Sequence, residues 1–578
     1  MHNLRIALLL DETADLLEFQ GANAFRVRAY RNGARTIREY GDSISRIVEE
    51  DPEKLKEIPE IGDNLAKYCV EIVTTGAFSM REKLLETTPR TVLDLLRVPR
   101  LGPKKAAVLF NELGIRDLTM LKAACEAGEV QKLKGFGAKT EQDLLAGIAI
   151  ASAANERLRW DQADELVASI RKHLEDLPSV RRLESAGSYR RGRDTIGDLD
   201  FLAVADDAKE AMDRLEAYPL KAETTARGET KCSIRLTNGF QVDLRVVPER
   251  SFGAALQYFT GSKEHNVVLR GLAKDRGLKI NEWGVFRVGE GGAEEFLAGE
   301  NEADVYASVG LPCFPPELRE GRREYDWAKG GDLPRLIEVG DLRGDLHMHT
   351  TATDGRNTLE EMIAAAKARG YSYIAITDHS QRVSMARGLD PVRLRQQWAE
   401  IDRINAAATD GFRVLKGIEC DILEAGGMDL PDDVLAEADW VNASIHYGQT
   451  QSSEQLTARI VGALEHPSVC VVAHPTGRVL NARPSYELDF DAVFDAAVKH
   501  KKFLELNASP ERLDLSDLQC AAAKQRGIPI VISTDAHKTA TLDNVRYGII
   551  QARRAGLTAA DVVNTRSWDE IRAMLGRS

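Results

Sequence analysis

Among 578 residues there are only seven cysteines, at positions 69, 125, 232, 313, 420, 470 and 520, and no two of them form a C-x-x-C pair. That spacing excludes a zinc ribbon and offers no even disulfide framework, so reduced and mostly buried thiols are expected. Long apolar runs are missing as well. The opening MHNLRIALLLDETADLL has one short apolar stretch, followed at once by Asp11, Glu12 and Asp15, which fits neither a signal peptide nor a membrane span. A cytoplasmic location without membrane contact is the expectation. Positive charge is in deficit: the net charge is −13, with 33 acidic and 27 basic residues over 341–578 and 57 and 50 before it. Neither part is basic, so any contact with a polyanion must come from local patches, such as Arg26, Arg28, Arg31, Arg35 and Arg38, or from backbone groups that carry no formal charge.

What is present is ordinary for a globular chain, 43% hydrophobic and 29% charged, and its length calls for several domains. Three segments of the first 150 residues resemble one another: IPEIGDNLAKY (58–68), VPRLGPKKAAV (98–108) and LKGFGAKTEQDL (133–144). Each sets a glycine (Gly62, Gly102, and Gly135 with Gly137) ahead of a helix start, in a region that otherwise reads as amphipathic helix. Such a turn presents unpaired N–H groups to an anion such as a DNA phosphate. The pattern resembles helix-hairpin-helix DNA-binding motifs, and backbone binding of this kind lets a protein with no basic surplus hold DNA.

From about 155 the pattern becomes mixed helix and strand. GSYRRGRDTIGDLDFLAV (187–204) places Asp198 and Asp200 two apart at the start of an apolar run, hence on one face of a strand. Paired carboxylates repel unless a cation lies between them, which suits Mg²⁺. Asp243, in the strand-like GFQVDLRVV (239–247), would complete a two-metal site for in-line phosphoryl transfer. Gly187 and Ser188, with Arg191, offer N–H, hydroxyl and guanidinium donors suited to a triphosphate.

These motifs, followed by YFTGSKEHNVVLR (258–270) and INEW (280–283), are similar in order and spacing to family X DNA polymerases, the beta-like gap-filling enzymes. The resemblance implies that Asp198 and Asp200 hold both metals, Mg²⁺ or Mn²⁺, and that Asp243 helps the primer 3′-hydroxyl lose its proton. It further implies that Ser188 and Arg191 hold the nucleotide's phosphates, that Tyr258, Phe259 and Gly261 form a wall beside its sugar, and that Asn266 and Arg270 face the minor groove of the nascent pair. The family's lyase lysines would align with Asn64 and Tyr68. Lys67 is adjacent but would project about 100° away on a helix, which speaks against lyase activity.

Beyond 341 strands and helices alternate, and most strand-like runs end in a metal-ligand residue type. DLHMHT ends at His347 and His349, YSYIAITDH at His379, FRVLKGIE at Glu419, DWVNASIH at His446, VCVVAH at His474 and PIVISTDAH at Asp535 and His537, while KFLELNAS (502–509) has no such end. Seven strands alternating with helices is the pattern of a βα barrel, whose active sites lie at strand C-terminal ends. With Asp354 there are nine candidate ligands, enough for two or three bridged ions, and a set of imidazole and carboxylate without thiolate suits Mn²⁺, Zn²⁺ or Fe²⁺ better than Mg²⁺ alone.

The nine residues resemble, motif by motif, the PHP family of metal-dependent phosphoesterases, which implies a distorted seven-stranded βα barrel. The order of the whole chain is similar to that of bacterial and archaeal family X polymerases carrying a PHP domain. The expected organisation is therefore multidomain α+β and α/β: a helix-hairpin-helix domain (1–90), a fingers-like helical domain (91–154), a polymerase palm (155–250), a thumb (251–315), a linker (316–340) and a PHP barrel (341–578). The expected partners are gapped or primer-template DNA and deoxynucleoside triphosphates, acting on a monomer in DNA repair. The implied activities are gap filling and 3′–5′ exonuclease trimming, with abasic-site endonuclease or 3′-phosphatase activity as further options. Two alternatives stand beside this: a structural PHP domain, or one that hydrolyses a small phosphomonoester.

Overall fold

The computed structural model describes residues 3–39, 44–58, 60–96, 98, 101–289, 292–331 and 333–576. The chain forms two compact units, one made of 1–158, 212–228 and 232–242, the other of 159–211, 229–231 and 243–578. Among the described residues no helix is long and apolar enough to cross a membrane. All seven cysteines are free, and six are buried; Cys313 is exposed.

The first unit is mostly helical, as the sequence periodicity implies. Helix Asp63–Thr75 shows why: Leu65, Ala66, Cys69 and Ile72 fall on one stripe and are buried, and Gly76, in the left-handed region at φ 80°, ends the helix. This stripe joins a core with Ile6, Leu9, Leu10, Leu17, Tyr30 and Ile37 of the first two helices. A second core, with Val92, Leu95, Ala106, Leu109, Leu121 and Leu144, holds the later helices. The side chains of Arg35 and Arg38 lie outside the described ones.

In the second unit, helix Trp160–Glu175 buries Ala163, Leu166, Val167, Ile170 and Leu174. Strand Val180–Ser185 pairs antiparallel with Asp198–Ala205, and Leu202 and Val204 pack on Phe252, Ala255 and Leu256 of the following helix, Phe252–Thr260. Helix Lys263–Lys274, three antiparallel strands (Leu278–Asn281, Gly284–Val288, Glu294–Ala298) and helix Glu302–Ala307 complete this part. The segment 316–340, expected as a linker, carries ordered elements among its described residues, the turn Pro316–Leu318 and helix Glu324–Lys329. Arg319, Glu324 and Tyr325 are buried, Glu324 Oε1 lies 2.9 Å from His265 Nδ1, and the Tyr325 hydroxyl donates to the His265 carbonyl. Its Pro, Gly and charge content hides the few apolar and paired residues that anchor it.

Seven parallel strands follow in sequence order: Gly344–Asp345, Tyr373–Ile376, Arg413–Asp421, Trp440–Ser444, Val471–Val472, Phe503–Asn507 and Ile530–Ser533. A parallel bridge between Met348 and Ala536 brings the last strand back to the first, so the sheet is a nearly closed barrel. Alternation along each strand divides two cores. Ile374 and Ile376 pack outward against the helices, whereas Tyr373 and Ala375 join Leu415, Trp440 and Phe503 inside, closed off by Trp568 and Ile571 of the last helix. The first strand is shorter than its sequence run: it stops at Asp345, and His347 and His349 lie just past it.

Candidate active sites

The first polar centre is built on two neighbouring strands. Asp198 and Asp200 begin Asp198–Ala205 with Leu199 buried between them, and Asp243 sits in Gln241–Val246, whose end is tied to the same strand by the Val247 N–H donating to the Ala203 carbonyl. Burial, with Asp198 and Asp243 close by, pushes the Asp200 carboxyl up to about 7. Three carboxylates crowded this way fit a site for divalent cations. Lys231 Nζ, 2.7 Å from Asp243 Oδ2, is a partner that sequence spacing could not reveal, because it comes from a neighbouring strand.

The turn ahead of these strands follows from one glycine. Gly187 has φ +62°, and a Cβ there would lie 2.3 Å from Asp200 Oδ2, so only glycine lets this backbone meet the carboxylate. Ser188 follows in the short helix Gly187–Arg190. Arg191 is turned away from open solvent. Its Nε donates to Glu320 Oε1 at 3.1 Å and its Nη1 to the Thr260 carbonyl. Arg190, not singled out from sequence, makes a two-pronged pair with Glu302 at 2.8 and 2.6 Å and donates to Thr260 Oγ1. These arginines tie the turn to the helix bearing Tyr258 and Phe259, which Gly261 ends at φ 70°. Asn266 Nδ2 donates to the Tyr258 carbonyl, and Arg270, one helical turn on, is exposed. Arg245, two residues past Asp243, stacks over the Phe259 ring at 4.3 Å.

The second centre lies at the C-terminal ends of the barrel strands and gathers all nine expected ligands. Potential ligand atoms fall into three overlapping groups: His349, Asp354, His379 and His537; His347, His349 and Asp535; His379, Glu419 and His446. His474 Nε2 is 2.9 Å from Glu419 Oε1. Among the described residues, His347 Nε2 and His349 Nδ1 are buried without hydrogen bonds, as expected of nitrogen donors shaped for cations. Burial alone would lower His379, but Glu419 and Asp354 outweigh it and carry it up to about 10. Burial and the neighbouring His537 and His379 hold His349 down to about 4. His474 and Asp535 both adopt positive φ, 30° and 53°, a backbone cost that concentrates at functional positions.

Around these ligands stands a layer the sequence reading passed over. Glu505, on the strand without a ligand at its end, lies 2.7 Å from His347 Nδ1 and accepts the His474 N–H at 2.6 Å. Asp421 accepts the His446 N–H and lies 3.1 Å from its Nδ1. Buried Asp378 accepts from the Thr350 N–H and hydroxyl and from Gln397, holding the loop after the first strand. A cavity of about 310 Å³ opens over the ligands, and Val383, Met385, Ala386 and Arg512 complete its lining. Arg512 Nε is 3.8 Å from Asp535 Oδ2.

The glycine turns of the first unit also take the expected form. Gly62 and Gly102 cap helices Asp63–Thr75 and Pro103–Leu113 with no side-chain hydrogen bond at either cap, and helix Ala138–Glu156 starts after Gly137, with Gly135 at φ 87°. Lys67 is exposed beside Glu71, whereas Tyr68 stacks on Tyr30 and meets Phe78 at a tilt.

Fold and sites together define a beta-type polymerase joined to a PHP barrel, and comparison with known proteins says the same. Residues 157–233 match the DNA polymerase beta palm, 255–320 the DNA polymerase beta thumb, 345–509 the PHP domain, 1–78 a helix-hairpin-helix domain and 92–149 a SAM-like helix-hairpin-helix tandem. The chain is 39% identical to the DNA polymerase/3′-5′ exonuclease PolX of Bacillus subtilis (strain 168), over 100% of both chains, and it belongs to that PolX family. DNA polymerase lambda of Rattus norvegicus is 25% identical over 55% of this chain and 56% of its own length. A probable phosphatase of Acetivibrio thermocellus is 31% identical over 33% of this chain and 78% of its own.

Proposed function

We propose that this protein fills short gaps in DNA during repair, adding deoxynucleotides at its carboxylate centre, and trims 3′ ends at its barrel centre. The observation that supports the reading is two separate clusters of potential metal-binding side chains on one chain: Asp198, Asp200 and Asp243 in one, and the nine His, Asp and Glu residues in the other. Divalent cations, Mg²⁺ or Mn²⁺, would be held by the three aspartates. Two or three ions, Mn²⁺, Zn²⁺ or Fe²⁺, would be held by the nine barrel residues. When bound, such ions offset negative charge on phosphate oxygens and activate a nucleophile.

The chain's own groups divide the remaining work. Asp243 accepts the proton of the primer 3′-hydroxyl. Ser188, the backbone of the Gly187 turn and Arg191 receive the triphosphate. Tyr258, Phe259 and Gly261 form the wall beside the sugar, held in place by Asn266 and Arg245, while Arg270 faces the minor groove. The N–H groups after Gly62, Gly102, Gly135 and Gly137 hold DNA phosphates without sequence preference. In the barrel, Glu505 and Asp421 fix the orientation of His347 and His446, and Arg512 at the cavity wall meets the phosphate being cleaved. The protein works as a monomer.

The test is a 5′-labelled primer in a one-nucleotide gap with Mn²⁺, resolved on a denaturing gel. Lengthening with deoxynucleotides and shortening without them is the expected pair. Lengthening alone would leave the polymerase and make the barrel a structural module or an enzyme for small phosphoesters.

A further inference from the structure

The phosphate-binding turn of the polymerase centre is built partly from the barrel. Helix Val545–Arg554 meets that turn at three successive helical turns of its own. At its start, Arg546 Nη2 is 2.7 Å from Asp164 Oδ2, the carboxylate that accepts the Tyr189 hydroxyl, and Tyr547 meets Trp160 edge-on, itself stacked on Tyr189. In its middle, Ile550 reaches the backbone at Gly192, where a Cβ would lie 2.1 Å from Ile550 Cγ2 and φ is +67°. At its end, Arg554 Nη1 donates to the Arg191 carbonyl at 2.7 Å and to Glu320 Oε1 at 2.9 Å, and Nη2 donates to Asp517 Oδ2 at 2.9 Å.

Glu320 is the hub of this contact. The oxygen that accepts from Arg554 also accepts from Arg191 Nε, and its other oxygen lies 3.6 Å from Arg193 Nη1. The side chains of Glu320 and Arg554 are 8% and 3% exposed, so the pair is screened little by solvent. With Nε on Glu320 and Nη1 on the Thr260 carbonyl, Arg191 makes no hydrogen bond through Nη2 among the described residues, which leaves donor capacity for a ligand.

We propose that helix Val545–Arg554 is a component of the polymerase nucleotide site, with Arg554 a positioning residue that fixes the Arg191 guanidinium through Glu320 and the Arg191 carbonyl. The inference rests on the reading of Arg191 as a triphosphate ligand. It makes the affinity of the polymerase for deoxynucleotide depend on a barrel residue that takes no part in trimming.

The experiment is a double-mutant cycle on the full-length chain: wild type, Arg191→Ala, Arg554→Ala and the double variant, each assayed for one-nucleotide gap filling against deoxynucleotide concentration. Arg554→Ala should raise KM for the nucleotide roughly five- to tenfold, change kcat by less than about twofold and leave trimming at the wild-type rate. The double variant should be no worse than Arg191→Ala alone, since Arg554 acts only through Arg191. Arg554→Lys, which keeps the charge, should recover part of the loss. An Arg554→Ala protein with wild-type trimming and unchanged KM would overturn the inference, as would effects of the two single variants that multiply in the double. An unchanged KM in Arg191→Ala would instead remove the reading beneath it. If Arg554→Ala does not fold, Arg554→Met, which retains the packed stem, takes its place in the cycle.

Discussion

At the scale of single residues, the proposed chemistry depends on two positions that supply no candidate ligand, Gly187 and Glu505. Gly187 lets the phosphate turn meet Asp200, and Gly187→Ala would push a methyl group into that carboxylate. Since a misplacement of about 1 Å can cost roughly 100-fold in rate, single-turnover extension by this variant should fall by about that factor, with trimming unchanged. Glu505→Gln should weaken metal binding at the barrel and slow trimming by roughly 10- to 100-fold, read by calorimetric metal titration as well as by rate, with extension intact. The residues that the structure gathers at the barrel centre as candidate ligands were legible in the sequence, because His, Asp and Glu recur at or near the ends of strand-like runs. Glu505, Asp421 and Asp378 were not. They sit inside strands or beside ligands, where an acidic residue in a pattern looks the same whether it touches solvent, a histidine or a cation.

At the scale of elements, ionic clamps hold the polymerase parts together. Glu302, at the start of helix Glu302–Ala307, pairs with Arg190 of the phosphate turn and with Arg319 at 2.6 Å. Burial would raise its carboxyl, but Arg190 and Arg319 prevail and hold it below the ordinary range. A carboxylate depressed in the folded state contributes stability that is complete above its unfolded pKa of about 4.3 and is lost as pH falls through the folded value. Glu302→Gln should therefore destabilise this clamp by about 3 kcal/mol at pH 7, and the difference from wild type should shrink once pH falls below about 4. Hydrogen exchange of helices Phe252–Thr260 and Glu302–Ala307, corrected for intrinsic rates, measures both. A difference that stays constant down to pH 3 would contradict the assignment. Periodicity made the helices of the first unit and most barrel strands readable in advance. The segment 316–340 was not, because its order comes from long-range partners such as His265 and Glu302, which no local pattern encodes.

At the scale of the whole molecule, two centres of unlike chemistry share one chain, and the second unit contains both. The carboxylate centre uses two neighbouring strands of a five-stranded sheet, and the imidazole-rich centre uses the open end of a parallel barrel; no candidate ligand belongs to both sets. With a net charge of −13, DNA held as proposed, by backbone N–H groups and local arginines, should be bound modestly and with a strong dependence on salt. The two centres should act independently on one DNA end. The most direct measurement compares Asp243→Ala and His349→Ala full-length proteins on the same 5′-labelled gapped primer, with and without deoxynucleotides. Asp243→Ala should lose extension and still shorten the primer, and His349→Ala should lose shortening and still extend it. Loss of both activities in either folded variant would contradict the account.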